Sequence, residues 1–118
     1  MAVNRAFFDS DWSFIDGVRT VTFRLFIPSS EALDDPISCD AFPAGGENKN
    51  VLQTGDNSVT TQQERVWHLR ASHLDSISSE VTQNSQIIDT DGRVYLIGPD
   101  IRYQTYRSRI RCVCKIIG

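Results

Sequence analysis

The chain has 118 residues, 40 % of them hydrophobic and 23 % charged, with a formal net charge of −3. That is the size of one domain with a single modest core and the composition of a folded globular chain rather than a disordered one. No apolar run approaches the roughly 20 residues of a membrane helix, and the opening MAVNRAFFDSDW, with a lone Arg5 and early acids, does not read as a secretory signal, so a protein that is cytoplasmic, or made there and assembled later, with no membrane contact is expected.

The first element is an extended arm, 1–16. AFFDSDWSFIDG crowds Phe7, Phe8, Trp12, Phe14 and Ile15 into the stretch before the first strand. So many aromatics need cover: either they fold back as a plug over the core, or they dock on a neighbouring subunit as interface anchors. GVRTVTFRLFI follows and predicts a strand over 18–27, with Val21, Phe23, Leu25 and Ile27 on one face and Thr20, Thr22 and Arg24 on the other. Pro28 ends it. ISCDAF (37–42) is a short candidate strand between two prolines. The stretch 43–63 is poor in large apolar residues and reads as a long polar loop.

ERVWHLRA (64–71) returns to strand character, with Trp67, Leu69 and Ala71 on one face and His68 on the opposite, solvent side. SHLDSISSEVTQNS offers one helical turn capped by Ser72 inside an otherwise irregular connection. In QIIDTDGRVYLIG, Asp-x-Asp-Gly has the look of a calcium loop. However, Gly92 comes too early, and Val94, Leu96 and Ile97 stand where ligands are required. Asp91-Gly92 therefore predicts a tight hairpin turn with positive φ, followed by a strand at 93–98. The last strand, 108–117, sets Ile110, Cys112, Cys114 and Ile116 against Arg109, Arg111, Val113 and Lys115. No sustained helical period and no internal repeat occur. The expected fold is all-β: one small barrel or sandwich domain over 1–118, with the aromatic arm and the long loop attached.

Three cysteines exclude a complete disulfide set. Cys112 and Cys114, two apart in a strand, suit buried free thiols better than a disulfide. A zinc site built with Cys39, His68 and His73 lacks paired ligand spacing. No phosphate loop, nucleophile elbow or dinucleotide fingerprint is present. Asp9/Asp11 and Asp34/Asp35 read as solvated turn residues rather than acid–base pairs. Neither enzyme activity, metal nor cofactor is expected. Charge is uneven: the first hundred residues carry −8, and Arg102, Arg107, Arg109, Arg111 and Lys115 carry +5 after them. That asymmetry marks either contact with nucleic acid or an acidic neighbour, or simply the outward face of one strand.

The succession DWSFIDGVRTVTF, polar insert, VWHLRA, connector, IIDTDGRVYLI and RIRCVCKII resembles the small head-closure, or stopper, proteins of tailed bacteriophages. Where members often carry a Pro-x-Gly-Asp-like turn before the penultimate hairpin, this chain has TQNSQ (82–86). The resemblance implies a β-barrel in a homo-oligomeric ring, hexamer or dodecamer, beneath the portal and adaptor proteins. There it closes the DNA channel until the tail terminator or tail tube joins, so the expected location is the neck of a virion assembled in the host cytoplasm. It further implies that Phe7, Phe8, Trp12 and Phe14 and the 43–61 loop contact neighbouring subunits. Arg107, Arg109, Arg111 and Lys115 would then face genomic DNA in the channel. Another virion role (tail-tube, tail-completion or capsid decoration) and a β-barrel nucleic-acid-binding module stacking bases on Tyr103 and Tyr106 are the alternatives.

Overall fold

A computed structural model describes residues 8–44, 64–105 and 107–117. Eight strands form: β1 (Arg19–Arg24), β2 (Phe26–Ile27), β3 (Ala32–Leu33), β4 (Ile37–Pro43), β5 (Glu64–Arg70), β6 (Gln86–Ile88), β7 (Val94–Gln104) and β8 (Arg109–Ile116). Six of them close an antiparallel barrel in the order β1-β4-β5-β8-β7-β6, and β2 and β3 make a separate two-stranded hairpin. The expected all-β barrel is the observed fold.

The interior is what period-two alternation dictates. Val21, Phe23, Leu25, Cys39, Ala41, Trp67, Leu69, Ile87, Tyr95, Ile97, Ile110, Cys112 and Cys114 are all buried and form one cluster. Register carries the alternation across strands: Trp67 pairs with Cys112 and Leu69 with Ile110, all inward, whereas His68 pairs with Arg111 and Arg70 with Arg109, all outward. Closure leaves no exposed barrel edge along which chains could stack.

Three local expectations are corrected. The strand expected over 18–27 breaks at Leu25, whose carbonyl accepts from the Asp34 amide at 2.7 Å as the chain leaves the barrel to form the β2–β3 hairpin. The strand expected at 93–98 instead runs on to Gln104. Gly98 and Pro99 do not end it, because pairing jumps from Ile97↔Cys114 to Ile101↔Cys112 across a bulge, where a proline without a donor is tolerated. A Cβ on Gly98 would lie 3.1 Å from the Val113 carbonyl oxygen, so a side chain there would crowd the neighbouring strand. The turn after β6 has three residues, Thr90–Gly92, rather than two. Asp89 and Arg93 close it, the Gly92 amide donates to the Asp89 carbonyl at 2.9 Å, and only Gly92 is left-handed, at φ +90°. This is a type I turn followed by a left-handed glycine.

TQNSQ performs the turn that a glycine would otherwise make. Asn84 adopts φ +76°, and its amide donates to the Ile97 carbonyl at 2.8 Å. The Ser85 hydroxyl accepts the Phe26 amide at 2.9 Å, and the Thr82 hydroxyl donates to the Phe26 carbonyl at 2.5 Å. The turn thereby pins β2 to the barrel. Before it, the connector opens with a 3-10 turn, Ala71–Leu74, that buries Ala71 and Leu74 against the core.

Candidate assembly surface

The arm folds along the outer wall of β4 and β5. A 3-10 helix, Ser10–Phe14, precedes β1. Asp9 accepts from Arg70 Nε at 3.0 Å and from the Ser72 hydroxyl at 2.7 Å. The same guanidinium reaches Asp40 Oδ2 at 3.0 Å. This half-buried network contradicts the reading of Asp9 as a solvated turn residue: the Arg70 hydrogen bond holds its carboxyl below the usual carboxylate range. Trp12, 3 % exposed, packs its ring 5.4 Å from that of Phe42.

Phe42 in turn stacks on His68 at 4.9 Å, with the Arg109 guanidinium 5.6 Å from its ring centre. His68 therefore does not sit on an open solvent face. Burial, with Arg109 and Arg111 adding positive charge, pushes its pKa down to about 4. The physical reason is cross-strand pairing: Phe42↔His68 places two rings side by side, and the arm then covers them. A pH dependence follows. Between about 6.5, where an unfolded histidine titrates, and about 4, the unfolded chain binds the extra proton, so stability rises with pH across that window. His68→Phe should flatten the curve there by about 1–2 kcal/mol, the shift being discounted for partial solvent screening. Urea unfolding at pH 7, 5.5 and 4.5 checks it, and a wild-type curve already flat over that range would refute it.

The other expected interface residues part company. Phe8 is half-buried. Phe14 is 83 % exposed, the most exposed large apolar side chain among the described residues. Phe7 lies outside the described residues, as does most of the long loop, 45–63. Within the single chain Trp12 takes the first of the two expected arrangements, folded back and covered by its own barrel.

Of the residues expected to face DNA, Arg107 pairs with Glu80 and lies 4.2 Å over the Tyr103 ring. Arg111 approaches Asp100 at 3.5 Å, and Arg102 shares that carboxylate at 3.0 Å. Arg109 rests on Phe42, its buried Nε without a hydrogen-bond partner among the described residues. Lys115 is exposed opposite Glu64. The basic C-terminal strand is thus partly neutralised by its own chain. The Tyr103 hydroxyl accepts the Val81 amide at 3.0 Å, so with Arg107 over its ring that tyrosine presents no free stacking platform. Tyr106 lies outside the described residues.

The three cysteines are free and buried. Burial pushes Cys39 and Cys114 up to about 12 and raises Cys112 as well, so they persist as thiols and act as small hydrophobes. Metal ligation needs thiolates, and no three described His, Cys, Asp or Glu residues are placed to share an ion. A shallow pocket of about 190 Å³ opens at one barrel end, floored by Leu74, Ile77 and Ile110 and rimmed by Asp75, Glu80 and Arg107. Its one arginine is occupied by Glu80.

No protein-family model matches the chain, and comparison with curated proteins finds no match either. The surface that stands out is the arm and its dock. The aromatics of the arm were legible by their density, and Phe42, His68 and Arg70 were not. Their role comes from register and from a contact spanning 61 residues of sequence between Asp9 and Arg70.

Proposed function

We propose that this chain is a structural protein of the bacteriophage neck that forms a ring below the portal and adaptor, closes the DNA channel and joins head to tail. The observation that carries the reading is Phe14, exposed two residues from a buried Trp12 on an arm bound to the outside of a closed barrel. A large aromatic held in water by an ordered segment is the kind of side chain that interfaces bury. The packed interior supports an architectural role, since core side chains fill the space a ligand would need. The rival nucleic-acid module is disfavoured by the occupied face of Tyr103 and by the carboxylates on Arg102, Arg107 and Arg111, because single-strand binding relies on open aromatic faces and free cations.

Inactivating the gene in a phage that carries it tests the reading. Heads should package DNA, then lose it, and should not accept tails. Removing residues 1–14 should reproduce that defect while the far-ultraviolet circular dichroism of the barrel is kept. Null particles that retain DNA and bear tails would overturn the reading, and so would infectious particles at normal yield from the truncated chain.

A further inference from the structure

We infer that the N-terminal arm is exchanged between copies, so that the dock formed by Phe42, Arg70, Asp40 and Ser72 on one barrel receives Asp9 and Trp12 of the next. The inference rests on the ring reading and specifies its interface. Three observations carry it.

The arm is joined to β1 through Asp16-Gly17, and Gly17 is left-handed at φ +87°, with no atom within 4 Å of where a Cβ would stand. Redirecting the arm at that point rotates a residue for which both signs of φ are accessible. Secondly, the contacts that hold Asp9 and Trp12 are made by side chains of the outer wall: Arg70 on the Asp9 carboxylate and carbonyl, Ser72 on the same carboxylate, and Phe42 on the Trp12 indole. Among the described residues no backbone ladder ties it to a barrel strand, since β1 pairs with β4 and β6 only from Arg19 onward. The same contacts form with equal geometry whichever copy supplies the arm, which is the condition for exchange at low cost.

Thirdly, docking on the same barrel leaves the surface incomplete. Phe14 stays in water. A second copy brought alongside by an exchanged arm supplies apolar cover for Phe14. Passed from each copy to the next, the arm makes a heterologous contact, which closes into a ring when the rotation between copies closes.

Charge reversal separates the two arrangements. Asp9→Arg and Arg70→Asp each place like charges in the dock. Combined in one chain they restore the pair in either arrangement. Mixed as two separate chains, they restore it only by exchange, since the D9R arm then meets the R70D dock while the unaltered Asp9 of one chain meets the unaltered Arg70 of the other. Native mass spectrometry of the equimolar mixture should show even-numbered mixed assemblies as the main species, with each single variant alone monomeric. A mixture that stays monomeric while the combined variant regains the wild-type state would overturn the exchange.

Should either reversal prevent folding, Trp12→Cys with Phe42→Cys gives a second readout through a thiol-to-thiol cross-linker long enough to span the space of the two removed rings, which are in contact in the native pair. Cross-linking should yield a ladder of covalent multimers on denaturing electrophoresis. An internally cross-linked monomer as the sole product would refute the exchange. It would leave the ring reading intact, because that is judged separately from the DNA-retention phenotype of null particles.

Discussion

Trp12→Ala is expected to lower the unfolding free energy by about 3 kcal/mol and to move the melting temperature down by roughly 12 °C, at the scale of about 4 °C per kcal/mol for a domain of this size. The indole is 3 % exposed and is held against Phe42. Truncating a buried tryptophan costs about 3–5 kcal/mol. The lower end applies because the site lies on the outer wall, where the arm can lift and admit water instead of leaving a void. Losing the anchor also exposes Phe42 and His68 and weakens the Asp9–Arg70 pair, whose two residues are held partly out of water beside it. Phe14→Ala is the control: a side chain this exposed should change stability by no more than about 0.5 kcal/mol. Both are to be measured by urea unfolding at a chain concentration low enough to keep the protein monomeric, since association would cover Phe14 and shift apparent stability. A Trp12→Ala loss near zero would mean that the arm does not rest on the barrel wall in solution.

Trp67→Ala is expected to cost still more, about 4–5 kcal/mol, the upper range for a core tryptophan. Trp67 is wholly inaccessible to solvent. Tyr95 meets it edge-on at 5.2 Å, and the Arg19 guanidinium, held by Asp89 at 3.1 Å, lies 5.4 Å from its ring centre. The indole therefore fills part of the barrel interior and lies beneath the Arg19–Asp89 ion pair. Closed strands cannot move inward to fill the gap without breaking register, so the void persists. Against a total stability of about 5–15 kcal/mol, the variant should be substantially unfolded at 37 °C. Trp67→Phe should lose only about 1–2 kcal/mol, because it keeps most of the volume and removes an indole N–H that has no partner among the described residues. Equal losses for the two substitutions would show that volume is not what Trp67 contributes.

Strand alternation by itself determined the class of fold and most of its interior. Val21, Phe23, Trp67, Leu69, Ile110, Cys112 and Cys114 were assigned inward from period two alone and are buried, because a half-buried strand has only two faces and the apolar one must leave water. The hairpin before β7 and the free thiols were likewise local matters of glycine conformation and residue spacing. The density of aromatics in the arm announced that they needed cover. Only the tertiary structure decided what covers them. That Trp12 is buried and Phe14 is not, that β7 continues through Gly98-Pro99, and that His68 loses its charge under Phe42 all depend on which strands lie side by side. That neighbour relation is set by barrel closure among residues far apart in the chain, whose energies no local pattern contains: the Asp9–Arg70 pair joins the arm to the end of β5, and β7 continues past Gly98-Pro99 because β8 pairs with it on both sides of the bulge.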